Sequence, residues 1–202
     1  MANILYVTDV ETTGIDDRIH EIIELSLFRL SDQVQKTFFL KPMDLSTAEP
    51  EALRINGHRL EDLKAGFRPE NKETNTSRIV YQDPSKVLVE VESFLMQDGM
   101  TSTERVLVGQ NITFDKGFLQ NLWKRHDQSE TFPFGRMYLD TMQIAAFLDY
   151  VTGQERQSYH LNGLIKDLGV KRIGKAHNAE SDVHATVSVF TKLVELAKRI
   201  NK

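Results

Sequence analysis

The chain has 202 residues, 40% of them hydrophobic and 27% charged, with a net charge of −4 and no cysteine. That composition suits one globular domain over residues 1–202 with a full core, and it excludes disulfides and thiolate-zinc sites. No apolar stretch approaches the roughly 18 to 20 residues of a membrane span, and the acidic balance excludes a general polyanion binder, so any nucleic-acid contact should be local and helped by bound metal. The N-terminus opens on a strand pattern rather than a charged segment and an apolar signal core, so the expected location is the cytoplasm.

From Ile4 the chain is apolar, turns acidic at Asp9 and Glu11 and breaks at Gly14, which reads as a buried strand. Strand side chains alternate with period two, so Asp9 and Glu11 share the face that carries Leu5 and Val7. Two adjacent carboxylates repel each other. A hard divalent cation relieves that repulsion, since Mg2+ takes one or two carboxylates and keeps its other positions for water and substrate phosphate. Residues 22–30 alternate as a second strand, and 37–40 read as a third, stopped by Pro42; the short connections favour antiparallel pairing. Residues 48–55 and 60–63 are predicted short helices, with Gly57 ending the first. Residues 67–86 are polar with two prolines and are expected to form the most mobile loop. Helical spacing returns over 87–96, a buried strand over 106–108, a helix over 114–123, a strand over 137–139 and a helix over 142–150. Val183, Val187, Phe190, Val194 and Ala197 then form the apolar stripe of a closing helix. No internal repeat is present. An antiparallel start followed by alternating helices and strands implies an α/β class, a mixed sheet with helices on its faces.

Other acids have to reach the end of the first strand. Asp115 follows the strand at 106–108 and lies near the start of a helix, where its plainest role is to favour the helix dipole. His177 and Asp182 are five residues apart, which on one helix would turn them about 140° from each other. If Asn178 caps that helix, His177 belongs to the preceding loop and can fold back over Asp182. Taken alone, His177 reads as an exposed loop histidine, and His58, His160 and His184 have weaker claims to chemistry.

Asp9-Val10-Glu11-Thr12-Thr13-Gly14, Gly109-Gln110-Asn111-Ile112-Thr113-Phe114-Asp115 and His177-Asn178-Ala179-Glu180-Ser181-Asp182 together resemble the three exonuclease motifs of the DnaQ-like 3′-5′ exonuclease family, which includes proofreading subunits of bacterial replicative polymerases. The tyrosine branch places Tyr where this chain has Asn178, so the chain resembles the histidine (DEDDh) branch through His177. The resemblance implies a ribonuclease-H-like mixed five-stranded sheet with helices on both faces. It also implies 3′-to-5′ exonuclease chemistry with two Mg2+ or Mn2+ ions on single-stranded nucleic acid with a free 3′ end. By it, Asp9, Glu11 and Asp182 hold the first ion, Asp9 bridges to the second, and Asp115 supports the second through water. Two ions roughly 3.5 to 4 Å apart can stabilise the attacking and leaving oxygens of an in-line displacement. A histidine, with an ordinary pKa of about 6.5, suits the general base, which is the role implied for His177.

By the same resemblance, Thr12, Thr13, Gly14 and Asn111 are candidate substrate contacts, with Asn56 and Gly57 beside the terminal nucleotide. Ile15 matches an apolar wedge against the terminal base, with a turn residue tucked into the core as the alternative. Asp140 is expected to cap a helix rather than to bind metal. Gln110 departs from the histidine common at its position. The substrate is expected to be DNA and the partner a polymerase or repair enzyme. The rivals are an exonuclease of RNA 3′ ends, a catalytically silent nucleic-acid-binding domain and a two-metal phosphatase. The intact acidic set argues against a silent domain, because unpaired buried carboxylates are costly without a metal.

Overall fold

The computed structural model describes residues 3–70, 78–126 and 132–200. In chain order the elements are β1 (Ile4–Thr12), β2 (Ile22–Arg29), β3 (Val34–Phe39), α1 (Pro50–Asn56), α2 (Leu60–Ala65), β4 (Phe67–Pro69), β5 (Arg78–Val80) and α3 (Pro84–Met96). The second half adds β6 (Arg105–Gly109), α4 (Ile112–His126), β7 (Tyr138–Asp140), α5 (Thr141–Thr152), α6 (Leu161–Asp167) and α7 (Ala179–Ile200). The main sheet has five strands in the order β3-β2-β1-β6-β7. The first three pair antiparallel because their connections are short, while β6 and β7 run parallel to β1 after helical returns.

Period-two alternation of β1 serves two cores. Ile4, Tyr6 and Val10 pack with Val87, Val91 and Phe94 of α3 and with Ile112 and Leu119 of α4. Val7 and Leu5 pack from the other face against Val183, Val187 and Phe190 of α7. The predicted stripe of α7 is its packed face, with Val194 and Ala197 also against core clusters. Each fully buried side chain of this kind contributes about 1.5–3 kcal/mol. Since Asp9 and Glu11 alternate in step with Leu5 and Val7, they point to the side where α7 begins.

Helices on both faces also bury β2 along its whole length, so its alternation does not mark a wet face. Its polar members Glu24 and Ser26 stand directly opposite Glu11 and Asp9. The register slips between Glu11 and Thr12, a bulge that bends β1 where its acids emerge.

The expected loop over 67–86 is corrected. Its described parts form an antiparallel hairpin of β4 and β5, and α3 already starts at Pro84, with Asp83 accepting a hydrogen bond of 2.9 Å from the Ser85 N–H. Residues 71–77 lie outside the described residues. Three-residue strands carry too little alternation to read in a sequence; this pair is held by tertiary bonds such as Tyr81 N–H to Gly66 C=O at 2.9 Å. The short α6 was not expected either, since seven residues present no readable stripe; Leu164 anchors it against α5 and α7. Among the described residues, no helix is long and apolar enough to cross a membrane.

Candidate active site

Beyond Val7, β1 has no parallel partner, because β6 ends at Gly109 and the chain turns into α4. The Val10 N–H exposed by this gap donates to Asp115 Oδ1 at 2.9 Å. Asp115 is therefore buried between α4 and the end of β1, a more specific position than a helix-dipole aspartate at the surface. Asp9, Glu11 and Asp182 each offer an oxygen within 4.8 Å of the others, a group able to hold a metal ion. Asp115 stands outside this trio but is the carboxylate that acts most strongly on Asp9.

The electrostatics reflect this crowding. Burial first, then Asp115, Glu11, Asp182 and Glu24, holds the Asp9 carboxyl well above its usual range. Burial, followed by Glu24, Asp182 and Asp115, pushes Glu11 up to about 8. Burial also raises Asp115 to about 8, with the Val10 N–H working against it. Each of these groups resists ionisation for want of positive charge. A hard divalent cation supplies that charge to an all-oxygen donor set, so the residues fit such an ion.

The start of α7 sets the remaining geometry. Asn178 Oδ1 accepts from the Ser181 N–H at 3.1 Å and from its hydroxyl at 2.9 Å, capping the helix. His177 thus lies in the loop, as the spacing required, and its N–H donates to Asp182 Oδ2 at 2.9 Å. Its φ of 59° is a left-handed conformation uncommon for a residue with a Cβ, a local strain of the kind found at functional sites. Glu24 Oε1 accepts from Asn178 Nδ2 at 3.0 Å and from the Glu180 N–H at 3.4 Å, tying β2 to this helix start. The Arg172 guanidinium donates to Asp182 Oδ1 and, at 2.9 Å, to Asn162 Oδ1. Sequence reading missed both Glu24 and Arg172. An acid inside an apolar strand was a signal for Glu24; a loop arginine ten residues before Asp182 gave none.

Several candidate substrate contacts have their side chains engaged locally. Thr12 Oγ1 donates to Gly14 C=O at 2.6 Å, and Thr13 Oγ1, fully buried, accepts from the Glu21 N–H at 2.9 Å. A Cβ on Gly14 would stand 2.5 Å from the His20 ring, so only glycine fits there. Ile15 is 75% exposed, which overturns the alternative of a residue tucked into the core. Asn56 donates from Nδ2 to Thr12 C=O at 3.0 Å and leads into Gly57, whose φ of 72° ends α1. Asn111 is exposed and also has positive φ. Asp140 caps as expected, accepting from Met142 N–H at 2.9 Å and from the Asn111 and Ile112 N–H groups at 3.2 Å each. Gln110 donates to Tyr159 C=O at 2.8 Å and accepts from the Thr141 hydroxyl at 2.7 Å, so its amide serves packing. His58 is buried against Tyr81, and His184 packs edge-on to Phe28. Beside His177 opens a groove of about 700 Å³, whose walls include Asn56, Gly57, Arg68, Lys175 and Asn178.

A profile of the RNase_T exonuclease family matches residues 6–190. A PolC-type DNA polymerase III of Thermotoga petrophila is 27% identical over 198 residues, 96% of this chain but 12% of that protein. Ribonuclease T of Actinobacillus pleuropneumoniae is 26% identical over 206 residues, covering 95% of this chain and 84% of that protein. The chain thus spans about an eighth of the length of its polymerase relative. Exonuclease I of E. coli, solved with a dT13 oligonucleotide, superimposes with a TM-score of 0.70 at 19% identity over 96% of this chain and 41% of that one. A product-bound exonuclease I superimposes with a TM-score of 0.72 at 17% identity over 98% of this chain and 45% of that one. The shared fold bears out the ribonuclease-H-like mixed sheet.

Proposed function

The chain belongs to the exonuclease family, and on that premise we propose that residues 1–202 act as one exonuclease domain that removes nucleotides from the 3′ end of single-stranded DNA. The convergence of Asp9, Glu11 and Asp182 from β1 and α7, with His177 alongside, carries this reading. Divalent ions, two Mg2+ or Mn2+, would supply charge neutralisation and water of lowered pKa when bound. Asp9, Glu11 and Asp182 would hold one ion, and Asp115 with Asp9 would help to hold the other. His177 takes the proton of the attacking water at an imidazole nitrogen. As the water oxygen bonds to phosphorus, the bond to the 3′ oxygen of the upstream nucleotide breaks on the opposite side, and the terminal nucleotide leaves with a 5′-phosphate. Ile15 stacks against the terminal base, the backbone of Thr12–Gly14 and of Asn111 contacts the strand end, and Asn56-Gly57 flanks the terminal nucleotide.

DNA is favoured by the polymerase relatives and by the oligonucleotide held by the structural neighbour. A second reading, RNA 3′ ends, is favoured by the match to ribonuclease T over most of its length. A polymerase or repair enzyme in the cytoplasm is the partner this reading expects.

The test incubates 5′-labelled single-stranded DNA and RNA with the protein in Mg2+, Mn2+ or chelator. A ladder shortening from the 3′ end, absent in chelator, is expected, and a circular strand should resist. Rapid cleavage of the circle would identify an endonuclease instead, full activity in chelator would overturn the metal reading, and hydrolysis of mononucleotide esters alone would identify a phosphatase.

A further inference from the structure

The groove beside His177 has a direction relative to the chemistry. In an in-line displacement the attacking water and the departing 3′ oxygen lie on opposite sides of phosphorus, so the upstream strand leaves away from the general base. Resting on the assignment of His177 as that base, the groove it lines is placed on the side of the terminal nucleotide.

Two cations face this space. Lys175 is exposed and has no hydrogen bond or ion pair among the described residues. Arg68, carried by β4, stacks its guanidinium 5.3 Å from the Phe39 ring centre, with Nη2 3.7 Å from Glu24 Oε2, and its buried Nε has no hydrogen-bond partner. Glu24 balances part of the Arg68 charge, since its Oε2 is itself buried without a hydrogen-bond partner while Oε1 accepts from Asn178 and Glu180. Of the acids in the lining, Asp62 is bonded to Arg59 at 2.7 and 2.9 Å, which leaves Glu70 at the exposed rim. Arginine and lysine donors without hydrogen bonds, converging on one groove, match the acceptor oxygens of a phosphate group.

We infer that the groove accepts a phosphomonoester on the 3′ carbon of the terminal nucleotide, so that this protein trims 3′-phosphorylated ends as well as 3′-hydroxyl ends. The reaction is the same hydrolysis. Water adds to the scissile phosphorus, the upstream 3′ oxygen departs and takes up a proton, and the first product is a nucleoside 3′,5′-bisphosphate; the shortened strand ends in a hydroxyl and later rounds release 5′-monophosphates. Arg68 and Lys175 bind the 3′-phosphate and take no part in bond cleavage.

The experiment compares 5′-labelled oligonucleotides of one sequence ending in 3′-hydroxyl or 3′-phosphate, for the wild type, Arg68→Gln, Lys175→Ala and the double variant. The first-turnover product is identified by mass. The wild type should cut the phosphorylated end within about 3-fold of the hydroxyl end and release the bisphosphate. The ratio of the two rates should fall at least 10-fold in the double variant, and part of that in Lys175→Ala, a partnerless surface residue whose loss does not endanger folding. A separate arm adds inorganic phosphate, which should inhibit the phosphorylated substrate more than the hydroxyl one. If the wild type cuts the hydroxyl end and stalls at the phosphate, or the ratio is unchanged in both single variants, the inference fails while the exonuclease reading stands. If neither end is cut, the exonuclease reading itself fails.

Discussion

Glu11→Gln should stabilise the metal-free protein at alkaline pH while abolishing its response to divalent ions. Burial, reinforced by Glu24, Asp182 and Asp115, lifts the Glu11 carboxyl from 4.5 to about 8 in the folded protein. A raised acid leaves stability intact below its unfolded value and removes it as pH climbs toward the folded value, because the unfolded chain releases its proton first. Between 4.5 and about 8, at about 1.4 kcal/mol for each tenfold change in proton affinity, the ceiling is about 5 kcal/mol by pH 9. Glu11 is only partly shielded from water, so about 2 kcal/mol is the working figure, which in a chain of this size corresponds to about 4–8 °C in Tm. Glutamine keeps the shape and carries no charge. In chelator the variant and wild type should melt together near pH 4 and diverge as pH rises, with the variant higher by pH 9. Mg2+ or Mn2+ should then raise the wild-type Tm and leave the variant nearly unmoved. A variant that melts at or below the wild type at pH 9 in chelator would refute the reasoning, since the carboxylate would then not be held there against its own ionisation.

His177→Ala should lower turnover about 10²- to 10⁴-fold and retain metal-dependent substrate binding, measured by single-turnover kinetics beside a binding titration; normal turnover would make His177 only a loop residue. Asp140→Ala leaves three backbone N–H groups without their acceptor at the starts of α4 and α5, and denaturant unfolding should show a loss of about 2–4 kcal/mol, with Asp140→Asn recovering part of it. Arg172→Ala releases Asp182 from its guanidinium partner. Calorimetric titration with Mn2+ should then show affinity raised by about 3- to 10-fold, an effect of about 1 kcal/mol; weaker binding would mean that Arg172 supports the metal-bound form instead.

The three motifs, their order and the shared face of Asp9 and Glu11 were legible in the chain because each depends on local periodicity: period two along β1, and a capping asparagine that ejects His177 from α7. The stripe of α7 was legible for the same reason, and it turns the helix start, with Asp182, toward the β1 acids. What no local pattern carries is pairing between distant segments. Asp115 reaches the site through a single N–H left bare where β6 ends, a fact about two strands of unequal extent. Glu24 stands opposite Glu11 only by register, and Arg172 meets Asp182 only through the path of the loop between α6 and α7. The β4–β5 hairpin, read in sequence as loop, becomes structure because backbone bonds and Tyr81 tie it to the body of the protein. Its Arg68 then lines the groove beside His177. The chemistry of the acids was therefore written in short-range spacing. Which cations flank them, and what the neighbouring groove can hold, was decided by contacts between residues far apart in the chain, whose energies depend on burial and distance that exist only after folding.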